Sequence, residues 1–151
     1  MHIAWKYLDT KSAAVNVLLE YQHMERIMET TPDKIEEKEG RMCDPHSAIA
    51  DGMPHAPDPK AGEALIVTAI DNINNMLCLY QQAEAYMAWV APAMKMLTDR
   101  ERHILGAFYM SGSRHSGANR QLQEELGYRE RQIDRFRAQA LSRFSRLLFG
   151  I

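Results

Sequence analysis

Apolar positions recur at helical spacing along nearly the whole chain, and the pattern predicts an all-α protein. From residue 2 to about 29, Ile3, Tyr7, Thr10, Ala14, Val17, Tyr21, Met24 and Met28 alternate in steps of four and three, with Leu18 alongside. That is a coiled-coil-like stripe. Thr30-Thr31-Pro32 is expected to end the helix, because the residue before a proline is pushed out of the helical region. A second and more regular stripe runs through Ile66, Ala69, Ile73, Met76, Tyr80, Ala83, Met87, Val90, Met94 and Leu97. Its helix should begin near Pro59. Pro92 should kink or break it around residues 88–91, since proline removes a backbone donor and crowds the carbonyl of Ala88. A stripe this regular needs a partner along its length. The first helix, making a helical hairpin, and a second copy of the chain are the two candidates. Residues 31–61, which hold five of the six prolines, read as a connector between the two helices, with one short helical turn within 33–41.

The pattern changes after Leu97. Thr98 stands three residues before Glu101, the spacing of a capping box, and the helix that follows should bury Ile104, Leu105, Phe108 and Tyr109. Residues 111–117 (Ser-Gly-Ser-Arg-His-Ser-Gly) read as a turn. A short helix from about Ala118 to Leu126 follows, with Gly127 suited to the left-handed position after its last turn. A longer helix then buries Ile133, Phe136, Ala140, Leu141, Phe144 and Leu148 along one stripe. Its other side carries Glu130, Arg131, Asp134, Arg135 and Ala138. The organisation expected is therefore residues 1–97 as a long-helix hairpin or oligomerisation region, and residues 98–151 as a helix-turn-helix with a supporting helix in front.

Charge sharpens this division. The net charge is −2. From Thr98 onward there are ten basic residues, all arginine, against six acidic, a balance of +4; the preceding residues carry eight basic and fourteen acidic, a balance of −6. An acidic body with an all-arginine basic end suits a module that meets phosphate. No apolar run approaches the ~20 residues of a membrane span, and the start has no signal-peptide layout. With only two cysteines, Cys43 and Cys78, and so no disulfide framework, a cytoplasmic protein is expected. Cys43, His46 and His55 lack the paired spacing of a closed metal site, and no metal or other cofactor is expected.

The run Leu97-Thr98-x-Arg100-Glu101-Arg102-x-x-Leu105, then Glu124-Glu125-Leu126-Gly127-Tyr128, then Ile133 and Ala140-Leu141-Ser142-Arg143-Phe144, resembles region 4 of bacterial sigma-70-type factors. More loosely, the whole chain resembles a group of short phage and mobile-element proteins that includes late-operon transcriptional activators. These carry an Asp-Gly-Met-Pro-like motif between two helices, here Asp51-Gly52-Met53-Pro54. The turn at 111–117 reads about four residues longer than is usual in the sigma type. What the resemblance implies is a DNA-binding regulator whose last helix enters the major groove, its base-reading positions corresponding by register to Glu130, Arg131, Asp134 and Arg135.

Arginine can donate two hydrogen bonds to guanine O6 and N7, so Arg131 and Arg135 are the expected base readers. Glu130 is expected to accept from cytosine N4 or to orient a neighbouring arginine. Arg114, Arg120 and Arg129 are placed for phosphates, which set register without carrying sequence information. Double-stranded DNA is the expected partner, with RNA polymerase as a second. A homodimer is expected through the Ile66–Leu97 stripe. The rival reading is a protein-interaction module that binds polymerase without reading DNA, since Glu130 and Asp134 would repel phosphate. Nothing in the sequence asks for catalysis: there is no glycine-rich phosphate loop, no His-Glu-x-x-His and no nucleophile in a recognisable setting. His103 is expected to be a partly buried helix residue and His115 a solvent-exposed turn residue.

Overall fold

The computed structural model describes residues 9–43, 59–112 and 115–150. Among the described residues there are five helices and no strand: α1 (Thr10–Cys43), α2 (Pro59–Met96), α3 (Asp99–Leu105), α4 (His115–Leu126) and α5 (Glu130–Phe149). A π-helical stretch, Gly106–Met110, prolongs α3. The chain divides into two compact units, one formed by residues 25–84 and the other by the residues up to 24 and from 85 onward.

In the unit of residues 25–84, α1 continues well past its expected end and runs through Pro32 to Cys43. The connector expected at 31–61 is therefore helical over 31–43 and again from Pro59. The Asp-Gly-Met-Pro stretch, His46 and His55 lie outside the described residues. Two features explain why Pro32 does not stop the helix. Its ring is on the exposed side, and the run Asp33–Cys43 is rich in strong helix formers, with Arg41 paired to Glu37 one turn back. Thr31 is buried, and the Thr30 hydroxyl donates to the carbonyl of Arg26 at 2.9 Å. Across from the end of α1, Ile70, Ile73 and Asn74 of α2 line one open groove with Glu39, Met42 and Cys43. Of the regular α2 stripe, Ile73 and Ala83 are buried and Ala69, Met76 and Tyr80 half-buried. Leu65, Ile66 and Val67, at the start of α2, are all more than half exposed.

The other unit has one apolar core. Ala14 and Leu18 of α1 and Val90, Ala93 and Leu97 at the end of α2 join Ile104, Leu105, Phe108, Ala118, Leu122, Ile133, Ala140, Phe144 and Leu148. The Tyr86 hydroxyl donates to the carbonyl of Val17, and Trp89 meets the Phe149 ring edge-on at 5.9 Å. Burial, followed by the nearby Glu20 and Tyr21, pushes the Tyr86 phenol well above its ordinary range. α2 runs unbroken past Pro92, where a kink or a break was expected. Pro92 and Ala88 are both exposed, so the carbonyl the proline leaves unpaired is near water.

The joints around α3 and α4 are made by specific caps. The Thr98 hydroxyl accepts from the Glu101 amide at 3.3 Å while the Glu101 carboxylate accepts from the Thr98 amide at 2.9 Å, so the capping box forms as its spacing predicts. Ile104, Leu105, Phe108 and Tyr109 are all buried. α4 starts at His115, three residues before the expected Ala118, so the turn is shorter than the sequence suggests. Gly127, at φ +70°, donates its amide to the Gln123 carbonyl at 3.0 Å and ends α4 in the left-handed position. Gly150 ends α5 in the same way, with its amide on the Arg146 carbonyl at 2.8 Å.

Candidate nucleic-acid interface

The buried stripe of α5 determines which of its residues can face outward. Ile133, Ala140, Phe144 and Leu148 are buried and Phe136 and Leu141 half-buried, as their spacing predicts. Glu130, Arg131, Arg135 and Ala138 are exposed and Asp134 half-exposed on the other side. α5 packs its stripe against α3 and α4. Arg129 occupies the N-cap position with extended backbone and no side-chain cap bond, and it is exposed.

The arginines that follow Thr98 sort into two groups. In the first, the guanidinium is held by the protein. Arg100 lies 3.7 Å over the Phe136 ring and 4.7 Å from the centre of the Tyr128 ring, and these two rings meet edge-on at 5.3 Å. Arg102 pairs with Asp99, and Arg120 with Glu124 at 3.2 Å. Arg143 reaches Glu101 at 3.1 Å and also donates to the Met96 carbonyl. Arg137 sits 4.7 Å over the Phe108 ring, 3.3 Å from His115 Nδ1 and 3.4 Å from Asp134. In the second group, Arg129, Arg131, Arg135 and Arg146, no guanidinium contact is made with any other described residue. Three of these four stand at the start of α5. Arg114 lies outside the described residues.

Both carboxylates on this face are already engaged. Glu130 Oε1 accepts from Asn119 Nδ2 at 3.2 Å, and Asp134 is the partner of Arg137. Asn119 is itself buried, and its carbonyl accepts from Gln123 at 3.4 Å. Sequence spacing missed every one of these contacts, because the partners come from other helices or from one of several equivalent neighbours.

The histidines differ from expectation. His103 is exposed rather than partly buried, with Nε2 2.6 Å from Glu125, because it lies on the side of α3 away from Ile104 and Leu105. Hydrogen bonds from Gln121 and His103 hold the Glu125 carboxyl below its usual range. His115 is exposed but belongs to the first turn of α4, where its ring meets Phe108 and Tyr109 edge-on. Burial raises the Glu101 carboxyl, but the Thr98 and Arg143 hydrogen bonds outweigh it and leave the group below its ordinary value.

Among the described residues no three His, Cys, Asp or Glu side chains gather as metal ligands, and no helix is long and apolar enough to cross a membrane. Chemically, the first two turns of α5 present the exposed guanidiniums of Arg131 and Arg135, an arrangement suited to multiply charged, hydrogen-bond-accepting partners. Comparison with protein-family models, with curated proteins and with solved structures finds no match to this chain.

Proposed function

We propose that the chain is a sequence-specific DNA-binding transcriptional regulator of the phage and mobile-element kind, with α4 and α5 as a sigma-region-4-like helix-turn-helix. The observation that carries the reading is the set of free guanidiniums of Arg129, Arg131 and Arg135 opposite the buried stripe of α5. Arg131 and Arg135 read guanine in the major groove, and Arg129 and Arg114 contact phosphates. Arg120 exchanges Glu124 for a phosphate, a surface pair of the kind that costs little to break. In this reading the two long helices pair as a hairpin. A single reading helix offers little interface, so specific binding requires two half-sites or a polymerase partner.

In this reading the dimer surface is not the whole Ile66–Leu97 stripe. Ile73, Ala83, Val90 and Leu97 are buried within one chain, whereas Leu65, Ile66, Val67 and Ile70 remain exposed. The same exposed residues favour a second reading, a polymerase-binding module that leaves DNA to its partner.

A mobility-shift experiment with genomic fragments tests the proposal. Arg131→Ala and Arg135→Ala should each relax discrimination by ~1–3 kcal/mol. Arg120→Ala should weaken all sequences alike and reduce the salt slope by about 0.9. Retention on heparin or random DNA that is absent, or insensitive to salt, would leave the protein-only reading standing.

A further inference from the structure

The face of α5 that carries the free arginines also carries two carboxylates, and the structure disposes of them in a definite way. Asp134 has two arginines one helical turn away, Arg131 before it and Arg137 after it. It pairs with Arg137, at 3.4 Å. The Arg137 guanidinium is not free to wander. It is stacked over Phe108 of the core and lies against His115, and its side chain is only 27% exposed. A fixed cation on the inner edge of the helix thus draws Asp134 inward and leaves Arg131 without a competitor. Glu130 is held in a parallel way by Asn119, a buried residue of α4 whose amide points outward to the carboxylate.

We propose that Arg137 and Asn119 are positioning residues that tie Asp134 and Glu130 back, so that the guanidiniums of Arg129, Arg131 and Arg135 stay available to a nucleic-acid partner. The inference rests on the DNA-binding reading above and adds to it two residues that touch no base or phosphate themselves. It also answers the objection that carboxylates on a groove-facing surface repel phosphate, because Asp134 is partly neutralised by Arg137 and Glu130 is tethered by Asn119.

The test is a double-mutant cycle on the full chain, read as affinity for a fluorescent random-sequence DNA duplex at low salt. Arg137→Gln frees Asp134 to pair with Arg131, and binding should weaken about five-fold, the upper range for one exposed ion pair. Asp134→Asn should restore most of that loss in the Arg137→Gln background and give a smaller gain in the wild-type background. An equal gain from Asp134→Asn in both backgrounds overturns the proposal, because it would mean that Arg137 does not control the carboxylate. A merely structural role for Arg137 predicts no rescue by Asp134→Asn. Should Arg137→Gln fail to fold, Asn119→Ala with Glu130→Gln runs the same cycle on the other carboxylate, with the same two outcomes. Wild-type protein that does not bind the duplex removes the DNA-binding reading and this inference together, whereas wild-type binding with no coupling removes the inference alone.

Discussion

Arg100 offers the sharpest test of how the reader helix is aimed. Its guanidinium lies 3.7 Å over Phe136 of α5 and 4.7 Å from the ring centre of Tyr128, which stands in the turn between α4 and α5. The contact therefore joins the first turn of α3 to both sides of the N-terminus of α5. An exposed cation–π contact contributes ~0.5–1 kcal/mol, so two rings together give about 1–2 kcal/mol. Arg100→Ala should lower stability by that amount, and with a slope of about 2 kcal/mol per molar urea the midpoint should fall by roughly 0.5–1 M. Arg100→Lys keeps the charge but loses the planar stack, and should recover part of the loss and no more. Urea unfolding followed by tryptophan fluorescence is the assay, since Trp89 packs on Phe149 at the far end of the same helix. An Arg100→Ala protein with the wild-type midpoint would refute the claim that this stack holds α5 in place.

Four further outcomes are expected. Thr98→Ala should cost about 1 kcal/mol of stability by removing the cap of α3. Glu101 adds a pH dependence: its carboxyl is lowered in the fold, so its contribution is fully present above the ordinary value of 4.5 and disappears as pH falls through the lowered folded value. Acid unfolding of Glu101→Gln should accordingly be shallower than that of the wild type over that range. Leu122→Ala and Ile133→Ala, at sites with no exposure, should each cost ~2–5 kcal/mol in thermal or urea unfolding. Gly127→Ala should cost ~1–2 kcal/mol from backbone conformation alone, since no atom lies within 4 Å of where its Cβ would sit.

The parts of this fold that depend on periodicity and local chemistry are readable in the sequence. The α5 stripe, the Thr98–Glu101 box and the left-handed Gly127 each follow from residue types a turn or less apart. Pro32 does not end its helix and Pro92 does not break its own, for the opposite reason. The local penalty of a proline is real, but it is outweighed when the ring is exposed and the flanking turns are strong helix formers or packed on a core. The candidate interface is legible only in part. Which arginines face outward follows from the helical stripe. Which of them are engaged does not, because chemically identical side chains are told apart by rings and carboxylates that other helices bring to them, as Phe108 does for Arg137 and Glu101 for Arg143, or by one neighbour among several on the same helix, as Glu124 is for Arg120.

Glu101 is bonded at once to the Thr98 amide and to Arg143 of α5, and Arg143 also grips the last carbonyl of α2 at Met96. Three helices are thereby splinted at one carboxylate, with only Leu97 and Thr98 between the first and the second. A tilt of the final turn of α2 and a tilt of α5 are then not independent movements. A shift of that turn would pull on α5 through the bonds of Arg143.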